Sequence, residues 1–327
     1  MISIIICSRK ADVLADFLDS VERTIGVPYE PVVIDNTDNK FNIFTAYNYG
    51  ASLAKGDILL FAHEDIIMRS EGWGATMEQC MAEDPGIGMI GVVGTQCAAK
   101  APRGWNTWGM QGRNIRPMCR LVQNMGDHKY SFEGEECFHM ETVNPENVRI
   151  TQAIGVDGLM FAIRRSLFDE GKVRFDEETY EGFHVYDMDM SMQVAQHMKV
   201  MVLLDIELKH ISCGNRTKDY YTSYYQYYMK WKDRLPMGIY PLTDPASFNQ
   251  FNALPYFRGM VKSGFFSKEE IRHYSRGYLA TIADERKTRY YYALIYYTRF
   301  YHRFGVGRLV TGAYNLGRRL RERFRTK

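Results

Sequence analysis

No uninterrupted apolar run in this sequence approaches the roughly 20 residues that a bilayer-spanning helix needs, so it offers no transmembrane anchor of that kind. The six cysteines (Cys7, Cys80, Cys97, Cys119, Cys137, Cys213) include no CxxC pair and read as reduced, mostly structural thiols. The first residues, Met1-Ile2-Ser3-Ile4-Ile5-Ile6, lack the basic n-region and the length of a signal peptide and read as a strand. A cytoplasmic protein is the expectation, with attachment to a membrane surface left open. No glycine-rich, basic phosphate loop follows that first strand, which weakens a nucleotidyltransferase reading.

What is present is ordinary in bulk: 327 residues, 46% hydrophobic and 24% charged, enough for one large domain with an appendage or two modest domains. The formal net charge of +2 hides an asymmetry. Nine Lys/Arg against the single acid Glu322 fall in residues 299–327, leaving a charge of −6 on the rest. Basic charge confined to one terminal helix on an acidic body argues against nucleic-acid binding.

Short apolar runs alternate with helical patterns from the start. Ile2 to Ile6, Val32 to Ile34, Ile58 to Phe61 and Ile87 to Val93 read as strands, with helices through Val13 to Val21, Phe44 to Ala54 and 71–83. This predicts an α/β fold built on a mixed, mostly parallel sheet flanked by helices. Periodicity fades between Thr95 and Arg149. It resumes at Ile154 to Ile163, which Asp157-Gly158 interrupts, and is followed by a helix with Met188 and Met192 and a strand from Val200 to Leu204. The boundary is placed at a 1–215 catalytic domain and a 216–327 helical region. The latter carries Tyr220, Tyr221, Tyr224, Tyr225, Tyr227 and Tyr228 at helical spacing, expected to pack on the body with phenol oxygens near water. In 306–327, Leu309, Ala313, Leu316, Leu320 and Phe324 share one face while Arg318, Arg319, Arg321 and Arg325 lie elsewhere. That pattern suits peripheral contact with an anionic membrane, and equally a solvated or oligomer-contacting helix.

The most informative stretch is Asp57-Ile58-Leu59-Leu60-Phe61-Ala62-His63-Glu64-Asp65, an apolar run ending in acid-base and metal-capable side chains. Ligands of open α/β sheets bind at such strand ends, and oxygen donors there suit Mg2+ or Mn2+ held with a phosphate. Three further pieces stand in order: Ile4-Ile5-Ile6-Cys7-Ser8-Arg9, Val33-Ile34-Asp35-Asn36, and Ala46-Tyr47-Asn48-Tyr49-Gly50-Ala51. Val156-Asp157-Gly158, Gly182-Phe183-His184-Val185-Tyr186-Asp187-Met188-Asp189 and His210 follow. Over residues 2–214 the set resembles the family 2 type of glycosyltransferase with the GT-A fold, most closely the bacterial branch associated with capsule and antibiotic-cluster glycosylation.

The resemblance implies a sugar transferred from a nucleotide diphosphate (UDP-, GDP- or dTDP-linked) to a saccharide or lipid-linked hydroxyl acceptor, with inversion and with Mn2+ or Mg2+. It implies that Ser8, Arg9, Asp35, Asn36, Asn48 and Glu64 bind the nucleotide, Asp65 and His210 hold the metal, and Asp187 is the base. Asp157, Gly158, Asp189, Trp105 and Trp108 would meet the donor or acceptor sugar. Bland readings run beside these: Asp35-Asn36 as a turn, Gly50 as a close-packing position, Asp187 and Asp189 as helix-start acids. Two positions depart from the family pattern, His63 where an Asp is usual and Tyr186 where a Glu is usual. The first departure keeps open a catalytically silent sugar-nucleotide binder.

Overall fold

The computed structural model describes residues 1–103, 118–124, 137–141, 147–212, 216–242 and 244–282. Trp105, Trp108 and the basic segment 306–327 lie outside the described residues. The chain divides into two compact units, Met1–Asn249 and Gln250–Lys327.

The first unit is built on a seven-stranded sheet. Its order is Ile150–Ala153, Lys199–Leu203, Ile87–Gly91, Met160–Arg164, Ile58–Ala62, Ile2–Ser8, Tyr29–Asp35. Ile2–Ser8 lies parallel between Tyr29–Asp35 and Ile58–Ala62, as the early alternation of strand and helix predicts. Met160–Arg164 inserts antiparallel between Ile58–Ala62 and Ile87–Gly91, and Ile150–Ala153 pairs antiparallel at the edge. The sheet is therefore mixed, and the later strands bring more antiparallel pairing than the simple alternation implied.

The two faces of the sheet are chemically different because side chains alternate along each strand. Ile2, Ile4, Ile6, Leu60 and Met160 face a mainly aliphatic layer in which Phe17 and Trp73 join Val21 and Met77 from helices Ala11–Thr24 and Trp73–Glu83. On the other face Phe61 meets Phe175 at 4.9 Å, Tyr47 at 5.0 Å and Phe161 at 5.4 Å between ring centroids. Helix Ile43–Leu53 lies on this side, so close that a Cβ on Gly50 would fall 2.4 Å from Ile5 Cγ2.

A second sheet, ordered Gly155–Val156, Val93–Thr95, Met118–Asn124, Leu208–His210, Ile66–Met68, extends from the carboxyl end of the first. The apolar stretch after Ile87 is thus divided between the two sheets. Residues 216–249 belong to the first unit, and helix Lys218–Trp231 buries Tyr221, Tyr224, Tyr225, Tyr227 and Tyr228. Cys7, Cys80, Cys97 and Cys119 are free thiols, and burial pushes Cys97 up to about 12.

In the second unit helix Lys268–Leu279 starts from a capping box, in which Ser267 and Glu270 each accept from the other's backbone N–H. Phe257 and Tyr278 pack with centroids 5.2 Å apart. No helix among the described residues is long and apolar enough to cross a membrane.

Candidate active site

Three chain segments meet at the end of Ile58–Ala62, two of them brought there by strand register. Past Ala62 the chain turns through His63-Glu64-Asp65 and enters Ile66–Met68 of the second sheet. There Ile66 is paired with His210, and the Ile211 N–H donates to the Asp65 carbonyl at 2.9 Å. A residue far away in sequence is thereby set beside Asp65. On the other flank Met160 pairs with Ala62 and the His63 N–H donates to the Leu159 carbonyl at 3.0 Å, which carries Asp157-Gly158 across the site. Helix Tyr186–Val194 supplies the third segment. The residue before it, Val185, is held at φ +68, a left-handed conformation unfavourable for a β-branched residue.

His63, Asp65 and His210 each aim a ligand atom at one point, all within 4.8 Å of one another. Asp65 Oδ1 is 3.7 Å from His63 Nδ1 and Asp65 Oδ2 is 3.5 Å from His210 Nε2. Ser212 Oγ also donates to Asp65 Oδ2. Burial raises the Asp65 carboxyl, but the hydrogen bond and charge of His210, the charge of His63 and the Ser212 bond outweigh it and hold the group well below the usual carboxylate range. Burial lowers His63 to about 4, against the pull of Asp65. A carboxylate and a neutral imidazole are the forms that bind metal. Two nitrogens and one oxygen fit a divalent transition ion better than Mg2+, which prefers oxygen alone.

The buried Asp187 and the half-buried Asp157 form an acidic pair next to this set. Asp187 Oδ2 accepts from the Gly158 N–H at 2.9 Å, and Oδ1 from the Met188 N–H at 2.8 Å. Asp157 Oδ1 accepts from the Leu159 N–H at 3.0 Å. Burial, then the charge of Asp157, pushes Asp187 up to about 7, while burial pushes Asp157 up to about 6 against the influence of His210. Tyr47, Tyr186, Tyr224 and Tyr227 surround Asp187 closely enough for its charge to raise their own pKa values further. A carboxyl titrating near neutrality is able to take up and release a proton.

The other sequence candidates separate into groups by what their polar atoms already hold. Asp189 lies on the same helix as Asp187 but turns inward and is 1% exposed. It accepts from Trp231 Nε1 at 2.7 Å, Lys230 Nζ at 2.8 Å, Tyr180 Oη at 2.9 Å and Gln193 Nε2 at 2.7 Å. Those donors occupy both oxygens, so Asp189 anchors helix Lys218–Trp231 instead of meeting a sugar. Glu64 clamps the loop after the first strand, accepting from Ser8 Oγ at 2.7 Å and from the N–H groups of Arg9 and Lys10. The grip falls mainly on Oε2, while Oε1 takes only the shared Arg9 N–H. Asn36 bridges Phe41 through both ends of its amide, and Asn48 likewise bridges Phe175, so each shapes a loop without offering its amide to a nucleotide.

Asp35 ends its strand opposite Ser8 and is exposed, with Oδ1 turned back to the Thr37 N–H at 3.0 Å in an Asx turn. Arg9 is exposed beside it. Sequence reasoning missed His63 as a candidate ligand, although the motif contained it, because it was read only as the loss of an Asp. It ranked packing on the body ahead of a carbohydrate-stacking role for the Tyr-rich helix, whose Tyr224 and Tyr227 lie within reach of the Asp187 charge. The Tyr227 hydroxyl is buried without a partner, contrary to the expectation of phenols near water.

The sequence model of the glycosyltransferase-like family matches residues 3–232. The chain belongs to that family. The match takes in every site residue above together with helix Lys218–Trp231. No curated protein matches the chain significantly. Among solved structures, S. aureus TarS 1–349 aligns with a TM-score of 0.51 at 13% identity, over 93% of this chain and 91% of that one. TarS 1–349 in complex with UDP-GlcNAc gives 0.52 at 12% identity, over 93% and 92%. At that identity the likeness shows the fold, and the fold of this glycosyltransferase-family chain is GT-A.

Proposed function

We propose that the protein transfers a sugar from a nucleotide diphosphate to a hydroxyl acceptor, with inversion at the anomeric carbon. The observation that carries this reading is the meeting of His63, Asp65 and His210 with the buried Asp187 at the carboxyl end of the first strands. TarS, crystallised with UDP-GlcNAc and with UDP, supports a UDP-linked hexose as the first donor to test.

Asp187 takes the proton of the acceptor hydroxyl as that oxygen attacks the sugar C1 from the face opposite the diphosphate. The C1–oxygen bond to phosphate breaks with both electrons leaving on the nucleotide. The Gly158 and Met188 N–H groups hold the two Asp187 oxygens in place for this. Asp157, on the same loop, keeps Asp187 basic through its charge. His63, Asp65 and His210 would hold Mn2+, which supplies charge neutralisation of the leaving diphosphate. Ser8, Arg9 and Asp35 edge the opening where the nucleoside would lie. A saccharide or lipid-linked acceptor, a cytoplasmic setting and a role in surface polysaccharide or glycoconjugate synthesis are carried forward from the sequence reading.

The test is turnover on a panel of UDP-, GDP- and dTDP-sugars with Mn2+, comparing wild type with Asp187→Asn. Wild-type turnover that the variant loses while still binding nucleotide supports the transferase. Nucleotide binding without turnover of any donor by the wild type would replace it with a silent sugar-nucleotide binder.

A further inference from the structure

The two departures from the family pattern touch each other. His63 Nε2 lies 2.6 Å from the Tyr186 hydroxyl, and that hydroxyl donates to the Gly158 carbonyl at 3.2 Å. A phenol has one hydrogen, and a carbonyl can only accept. The one hydroxyl hydrogen can serve either contact; given to the Gly158 carbonyl, which then has its donor, it leaves the 2.6 Å contact to a hydrogen on His63 Nε2. Nδ1 is then the unprotonated nitrogen, and it is the one that faces Asp65. The 3.7 Å between Nδ1 and Asp65 Oδ1 is too long for an N–H to be shared there, in agreement with a bare Nδ1.

The ring that carries the hydroxyl has no freedom to turn away. Tyr186 is 3% exposed and sits among Tyr47 at 5.5 Å, Phe183 at 5.9 Å, Phe44 at 6.3 Å and Phe161 at 6.4 Å. Gly158 leaves room for the hydroxyl, since a Cβ there would lie 2.0 Å from Tyr186 Oη. The same Gly158 residue donates its N–H to Asp187. Consecutive residues of one helix therefore grip both polar atoms of Gly158, and His63 is tied to the base through it.

We propose that Tyr186 is a positioning residue of the metal centre: its hydroxyl, fixed on the Gly158 carbonyl, holds His63 in the Nε2–H tautomer and so presents Nδ1 as the third ligand beside Asp65 and His210. The proposal deepens the metal-dependent reading above and rests on it. Hydrogen-bond partners of a ligating histidine set its tautomer and typically change metal affinity by about 10–100-fold when removed.

Two measurements test it on the full chain. In metal-free protein labelled with 15N-histidine, the His63 ring, assigned by its loss in His63→Gln, shows a protonated Nε2 and an unprotonated Nδ1. This pattern is lost in Tyr186→Phe. A protonated Nδ1 in the wild type overturns the proposal without reference to any metal. Titration with MnCl2 then gives an affinity about 10–100-fold weaker for Tyr186→Phe than for wild type. Tyr47→Phe, which removes a neighbouring buried hydroxyl that does not reach His63, leaves the affinity unchanged. Equal affinity in Tyr186→Phe and wild type overturns the positioning role. Absence of Mn2+ binding by the wild type overturns the metal reading while the tautomer measurement still decides the hydrogen-bond assignment. Matching thermal melting of the two Phe variants excludes misfolding, and should Tyr186→Phe fail to fold, the wild-type tautomer alone decides.

Discussion

Replacing Asp187 by Asn should lower activity and change stability in a direction that depends on pH. The carboxyl titrates at about 7 in the fold against an ordinary 3.8, for reasons led by burial and then by the charge of Asp157. Because the folded value is the raised one, the group's stabilising contribution is complete below pH 3.8 and is lost as pH rises through about 7. Over that window the loss is worth about 4 kcal/mol, at 1.36 kcal/mol per pH unit. An asparagine cannot ionise, so it escapes this loss. It keeps an acceptor for the Gly158 N–H but turns an NH2 toward the Met188 N–H, a mismatch of about 1–3 kcal/mol. Asp187→Asn is therefore less stable than wild type in acid and more stable by about 1–3 kcal/mol above pH 8. Urea unfolding of both proteins without divalent ions, at pH 4.5 and pH 8, checks this. A stability difference that stays constant between the two pH values refutes the claim that the fold holds Asp187 as a neutral acid. Turnover by the same variant falls by about 10²–10⁴-fold, the usual contribution of a general base.

In the wild type kcat/KM rises with pH and levels off above about 7 as Asp187 loses its proton, with Asp157, Tyr47, Tyr186, Tyr224 and Tyr227 as the titratable groups that face it; a flat profile from pH 5 to 9 excludes Asp187 as base. Asp65→Asn removes the carboxylate common to both imidazole contacts, and calorimetric titration with MnCl2 shows binding abolished. Asp189→Asn removes the charge that Trp231 Nε1, Tyr180 Oη and Lys230 Nζ share, Lys230 keeping Asp176 at 2.7 Å, and lowers stability by about 1–3 kcal/mol in denaturant unfolding, with nucleotide affinity preserved. Gly50→Ala presses a methyl against Ile5 and lowers stability by about 1–3 kcal/mol without altering Mn2+ binding.

The alternation of short apolar runs with helical patterns is local information, and it placed Ile2–Ser8, Tyr29–Asp35, Ile58–Ala62 and the helices between them close to where they lie. The end of the third run likewise announced Asp65, since an acid at a buried strand end is visible as a pattern, whereas Asp187 was singled out only by the family resemblance of Tyr186-Asp187-Met188-Asp189. What sequence could not decide was the direction in which each polar group spends its hydrogen bonds. Glu64, Asn36, Asn48 and Asp189 look as available as Asp65 when read as letters. Only packing turns their oxygens toward the Arg9 N–H, Phe41, Phe175 and Trp231. His63 and Tyr186 carry the same lesson in reverse: apart in the chain, each reads as a loss from a motif. An antiparallel strand and a tight glycine place them 2.6 Å apart, where one supplies what the other needs. Periodicity is a property of neighbours along the chain, whereas tautomer, ligand geometry and the near-neutral Asp187 arise from groups that meet only when the strands pair.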